Sequence, residues 1–442
     1  MALGGVFMTD TDGNIGTEVS NLTEKVCGLL FDISGQPDFW TKGPGAKLAD
    51  TFKDNVVQLT SLEEAVKAGI ATYTGESDDS GVSQDFLFGI PYYHIKHFFS
   101  LAGSQYLYVM FADCKNNWNA LIDMQKAANG TISQFGVWTE QSLWKHMDAS
   151  ADKYSVNLVS DLQAVAEEMA NEYYAPASIL LCANSAKIAM SGNTESTTVA
   201  WDYIPTCKIN ARYVTVLLGQ GMDDDVAGMQ MALESKTPVG TVGAALGCLA
   251  RGQVHECMGW VANYDIAGYF PDIEFGFGNI EAADGKLANT TKYSSLTRKQ
   301  LDKLHDAGYV FLIKYPGLAG HIYFSADPTC STGDYRTIAR NRVINKSRRL
   351  VRTVLLPYVN SPIKVDPATG TLSASQITIF LNLVSSVLQA METAGEISGY
   401  TVNIPANQNI LKNDTLIIKY SIIPIACAEA IEVTEGLSTT NK

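Results

Sequence analysis

Catalytic motifs are what this sequence lacks. Its 442 residues contain no Cys-x-x-Cys and no Gly-x4-Gly-Lys-Ser/Thr phosphate loop. His255-Glu256 begins like a zinc motif, but position 259 is Gly, so the second histidine ligand is missing. Long apolar runs are also absent. The most apolar stretch, Leu416 to Val433, is broken by Lys419, Pro424 and Glu429, short of the roughly 18 apolar residues of a membrane span. The opening MALGGVFMTDTDGNIG has no basic start and no apolar core, which argues against a secretory signal. Positive charge is scarce: 32 Lys and Arg face 46 Asp and Glu, a net charge of −14. That balance argues against a surface that coats nucleic acid by neutralising phosphates. The expectation is a soluble chain made in a cytoplasm. Its eight cysteines sit mostly in apolar surroundings such as VCGLL and ILLCAN, and read as buried reduced thiols.

What is present is packing material. Hydrophobic residues make up 46% and aromatics 10%, enough for a large core, and the length suggests two or three domains. Strand and helix patterns alternate along the chain, which gives a mixed α/β class. Strands are expected at 26–33, 56–59, 105–111, 178–183, 212–218, 309–315, 321–324, 402–404 and 416–422. Helices are expected at 90–101, 117–128, 157–172, 223–234, 239–250 and 335–356. Ser61-Leu-Glu-Glu64, Thr297-Arg-Lys-Gln300 and Ser373-Ala-Ser-Gln376 read as capping boxes. After the third, Ile377, Leu381, Val384, Leu388 and Met391 recur at helical spacing, the stripe of a helix with one buried face.

Candidate sites are few. His94 and His97 share a predicted helix face but have no carboxylate or thiol beside them, so an interfacial aromatic helix is expected rather than a metal site. Asp223-Asp224-Asp225 reads as an acidic first helical turn. Asp10-Thr-Asp12-Gly-Asn14 lacks the offsets of a calcium loop. No catalytic residue, cofactor site or metal site is predicted. One constellation stands out. Between Tyr335 and Lys364 lie eight basic residues and no acid, leaving 24 basic against 46 acidic residues elsewhere. A solvated face balancing acids of the same subunit accounts for it; so does a face that docks on an acidic partner, and nucleic acid is a weaker third, since no aromatics interleave with the arginines.

The last hundred residues carry a resemblance. A basic helix (YRTIARNRVINKSRRLVRTVLLPYV), the turn DPATGTLS, an amphipathic helix, the turn Gly395-Glu-Ile-Ser-Gly399, and NILKNDTLIIKYSIIPIACAEAIEV follow one another. This order resembles the C-terminal domain of contractile tail sheath proteins, from tailed bacteriophages and phage-tail-like contractile injection systems. SLEEAVKAG, KHFFSLAGSQYLYVMFAD and LTRKQLDKLHDAGYVFLIKY fall in the sheath-like order upstream. The resemblance implies an N-terminal arm at 1–20 and an α/β sheath core over 21–330, its outward-facing portion within 130–290. A C-terminal sheath domain over 331–426 and a C-terminal arm over 427–442 complete it.

It also implies a non-enzymatic structural subunit that polymerises as stacked rings around an inner tube. Such a subunit meets baseplate and terminator proteins, and contracts to drive the tube through a target envelope. Neither nucleic acid nor membrane is an expected direct partner. Assembly is expected in a bacterial host's cytoplasm, in a virion tail or a tail-like particle. Arg340, Lys346, Arg348, Arg349 and Arg352 are then candidates for a tube-facing surface. Ile418, Tyr420, Ile422, Ile431 and Val433 are candidates for strands that pair with neighbouring subunits. The alternatives are another phage-tail structural protein (tube, baseplate or capsid component) and an α/β nucleotide-binding enzyme.

Overall fold

Cys27-Gly-Leu-Leu-Phe-Asp32 shows no polar alternation, the pattern of a strand covered on both faces. It forms strand β1, and all six of its residues are buried. The computed structural model describes residues 24–437, apart from 36–37, 42, 71–85, 104, 149–150, 190–194, 197–203, 219, 223–238, 271, 276–279, 282–286 and 289–290. The proposed N-terminal arm, the Asp10–Asn14 turn, Asp223–Asp225 and the expected helix 223–234 lie outside the described residues.

Beside β1 stand β2 (Val57–Leu59), β3 (Leu107–Ala112), β4 (Gln134–Asp148), β5 (Ser178–Ala189), β6 (Val214–Leu217) and β7 (Tyr309–Val310). They form one sheet in the order β7-β6-β5-β4-β1-β3-β2. Every pairing along this path is parallel except that of β2 with β3. Parallel strands need crossover connections, and helices provide them on both faces. The expected strand 309–315 divides at Phe311. Its amide and carbonyl bond Ser325, and Leu312–Ile313 turns away to pair with Tyr323–Phe324 in a separate ladder.

Helices α1 (Phe86–Ala102) and α2 (Val242–Arg251) cross tightly over this sheet. A Cβ at Gly243 would sit 2.1 Å from the His94 carbonyl oxygen, so only glycine allows the crossing. This close approach buries His94 and His97 and corrects the reading of α1 as interfacial: it is a core helix. His94 Nε2 donates to the Val239 carbonyl (3.0 Å), and Nδ1 accepts the Gly243 amide (3.3 Å).

A smaller module follows. It comprises α3 (Ile338–Leu355), α4 (Ala374–Thr393) and the antiparallel ribbon of β8 (Ile397–Asn403) and β9 (Lys419–Pro424). Val343, Val351, Val384, Leu388, Met391 and Ile397 form its own apolar cluster, and Leu372, Phe380 and Ile404 a second. By length and composition α4 is apolar enough to cross a membrane. Here Val384, Leu388 and Met391 of its predicted stripe are buried in the first cluster, and Ile377 and Leu381 pack half-buried against the second. Thr297 and Gln300 complete their capping box; Ser61 caps the Glu64 amide but Glu64 takes the Thr60 amide instead of closing a box, and Ser373 starts α4 with no side-chain capping bond.

Two buried groups make stability depend on pH in opposite directions. Burial, with His97 adding to it, holds the His94 imidazole down at about 3. An unfolded chain takes up that proton below about pH 6.5, so this contribution is complete above 6.5 and is lost as pH falls toward 3. Burial pushes the Asp327 carboxyl up to about 6 from its ordinary 3.8. The folded chain therefore binds that proton first, and stability is gained as pH falls from 6 to 3.8. Urea midpoints of the wild type and Asp327→Asn should diverge over that window by up to about 1.4 kcal/mol per pH unit. Parallel curves would refute the assignment.

Candidate interaction surface

The carboxyl ends of parallel strands are where α/β enzymes bind ligands. Here that position in β1 is already filled. Asp32 is buried and accepts from the amides of Ser34 (2.9 Å) and Cys114 (3.0 Å) and from Ser34 Oγ (2.9 Å). Thr139 Oγ1 (2.6 Å) and Gln141 Nε2 (2.7 Å) complete its shell. A carboxylate saturated by its own chain locks loops together. Among the described residues, no three His, Cys, Asp or Glu side chains are placed to hold a metal ion.

The basic residues of α3 divide by where their partners come from. Thr337 caps the helix by accepting the Arg340 amide, and Asp327 accepts the Ala339 amide, placing negative charge at the positive helix end. Arg342 is buried and donates to the carbonyls of Leu249 (2.9 Å), Gly252 (3.3 Å) and Gln253 (3.0 Å), which finish α2. Lys346 is buried against Glu396 at 2.6 Å. Arg349 grips Glu24 with Nε (2.9 Å) and Nη2, and the Pro176 carbonyl with Nη1 (2.7 Å).

This corrects the picture of an acid-free basic surface. Lys346 and Arg349 are neutralised inside the subunit by acids far away in sequence. Removing one partner of such a buried pair costs about 3–5 kcal/mol; Lys346 locks α3 to the turn between α4 and β8 within the module, and Arg349 holds the module on the core. Arg340, Arg348 and Arg352 are half-buried. Arg340 reaches the Asp334 carbonyl (3.2 Å), Arg348 the Tyr213 hydroxyl (3.0 Å), and Arg352 lies 3.8 Å over the Tyr174 ring. Burial lowers the Arg352 guanidinium from its ordinary value.

The ribbon is the other candidate surface. β8 and β9 pair only with each other among the described strands, so each leaves one edge of backbone groups unladdered. Ile418, Tyr420 and Ile422 turn inward and pack on the module's own cluster. Ile417 and Ile423, on the opposite face, are exposed. Beyond Pro424 the chain runs to residue 437 without pairing to any described strand. Ile431 is 83% and Val433 82% exposed. Where the tail leaves β9 it skirts two cavities, of about 170 and 310 Å³, that share Arg336 and Glu429 in their walls. Sequence reasoning missed Glu24 and Glu396 as partners of the basic helix. Only the position of Glu396 in the Gly395–Gly399 turn, against the end of α4, was a local signal.

The fold recurs in solved structures. One match is a chain of the anti-feeding prophage baseplate, six-fold symmetrised: TM-score 0.54, 12% identity, 99% of this chain and 100% of that one. A second is the sheath complex of the PVC extracellular contractile injection system in its contracted state: TM-score 0.55, 10% identity, 98% and 99%. A third is the anti-feeding prophage helical sheath in its contracted state: TM-score 0.53, 12% identity, 99% of both. No curated protein matches the chain in sequence. The chain has the fold of contractile injection system sheath proteins, and it belongs to the DUF2586 family, whose N-terminal domain matches residues 55–327 and whose C-terminal domain matches residues 334–441.

Proposed function

We propose that this chain is a structural subunit of a contractile tail sheath: it polymerises as stacked rings around an inner tube and contracts to drive the tube through a target envelope. The observation that carries this reading is the end-to-end fold match, which covers nearly the whole length of both chains in each sheath comparison. The filled carboxyl end of β1 and the unladdered ribbon edges support it, since a helical lattice needs heterologous, non-closing contacts rather than a ligand pocket. The reading includes self-association, a baseplate and terminator at the lattice ends, and assembly in a bacterial host's cytoplasm into a virion tail or tail-like particle.

The tube-facing surface is narrowed to Arg340, Arg348 and Arg352. Each exposed charge pair with an acidic tube is worth about 0–1 kcal/mol, but a lattice repeats it in every subunit. Negative-stain microscopy of the purified chain should show striated, hollow polymers; dispersed particles at all concentrations would overturn the proposal. With tube protein added, Arg340→Glu/Arg348→Glu should leave empty sheaths, because the buried Lys346 and Arg349 pairs are untouched. Filled sheaths from that variant would remove these residues from the tube contact.

A further inference from the structure

Six of the eight cysteines are buried; Cys257 is half-buried and Cys427 exposed. These last two meet at the root of the tail. Cys427 Sγ lies 3.8 Å from the carbonyl oxygen of His255, two residues before Cys257. The Cys257 sulfur accepts the Gly259 amide at 3.3 Å and lies beside the Asp327 carboxyl. The two thiols, 170 residues apart in sequence, therefore lie at the same turn, Cys257 in it and Cys427 against it, beside the cavity lined by His255, Arg340 and Cys427. Cys207 and Cys330 are also neighbours, but both are wholly enclosed in the core.

We propose that Cys257 and Cys427 of one subunit are a disulfide site for small-molecule disulfides, and that the bond clasps the tail to its own subunit. Cys427, the more exposed thiol, loses its proton to solvent and attacks the small disulfide, releasing one thiolate. Cys257 then attacks the Cys427 sulfur, its proton passes to the Asp327 carboxylate, and the second thiolate leaves. Two protein thiols are oxidised by two electrons, and one small disulfide is reduced to two thiols. The bond fixes residue 427, so the segment carrying Ile431 and Val433 can no longer swing out to a neighbour. Reduction frees it.

This second half rests on the sheath reading, in which the tail joins neighbouring subunits; the disulfide itself does not. The full chain is incubated with oxidised glutathione at mildly alkaline pH, because burial raises both thiols above their ordinary value. Peptide mapping without reductant should find one 257–427 cross-link and no 207–330 link, and Cys257→Ser and Cys427→Ser should each abolish it. A stable glutathione adduct on Cys427 alone, or a 427–427 link between chains, overturns the proposal. The oxidised wild type should lose polymers and regain them with dithiothreitol, while Cys427→Ser polymerises under both conditions. Equal polymerisation of oxidised and reduced wild type refutes the clasp. If Cys427→Ser and reduced wild type both fail to polymerise, the sheath reading fails, and the cross-link map still decides the disulfide.

Discussion

Arg342→Ala is expected to destabilise the chain by about 3–5 kcal/mol, the range for removing one partner of a buried charged network. The last carbonyls of a helix have no donors within it. For α2 these include Leu249, with Gly252 and Gln253 just beyond, and all three take hydrogen bonds from one guanidinium. Alanine strands these acceptors out of water, at about 1–3 kcal/mol for each fully unsatisfied group, and leaves a void where a large side chain lay. The positive charge also sits at the negative end of the α2 dipole. Arg342→Lys keeps charge but not the planar fork, so it should recover only part of the loss. Urea unfolding of the two variants checks this; a loss below about 1 kcal/mol for alanine would show that water replaces the guanidinium.

The second large effect concerns the tail. Deleting residues 427–442 should abolish polymerisation while changing stability by less than about 0.5 kcal/mol, as for surface changes away from packed features. The described part of the segment is exposed and pairs with no described strand of its own subunit; its Cys427 makes a weak contact to the His255 carbonyl. Ile431 and Val433 recur at the spacing of side chains on one face of a strand. In a neighbouring subunit, an unladdered edge of the β8–β9 ribbon can supply the missing backbone partners. Sedimentation velocity and negative stain would check this together: a monomer of unchanged unfolding midpoint is expected, and striated sheaths of full length would defeat the tail's role. Cys427→Ser isolates the thiol from the strand, because it should assemble where the deletion does not.

Much of the scaffold could be read in the sequence because local rules govern it. The unbroken run of β1, the caps at Ser61 and Thr297 and the stripe Val384, Leu388, Met391 each depend on residues within a few positions of one another. The candidate surface was less legible, for a physical reason. The sign of a charge is local, but its neutralisation is not. Nothing near Lys346 or Arg349 in sequence announces Glu396 or Glu24, and nothing distinguishes buried Arg342 from half-exposed Arg340 two residues earlier. The helix α1 shows the same limit: its histidines and aromatics suited an interface equally well until Gly243 brought a second helix against them.

The sheet order carries a consequence for biosynthesis. β7, at one edge of the sheet, pairs with β6 about ninety residues before it, Tyr309 against Val216. Closing so long a loop before its contacts form makes such topologies slow to fold. A ribosome adds about 5–20 residues per second from the N-terminal side, so the core strands emerge well before the ribbon and tail. The ribbon and tail proposed to pair with neighbours thus follow the core strands out of the ribosome. Nascent chains on one polysome would lack that ribbon while their core strands are being made, which keeps it from pairing half-made subunits.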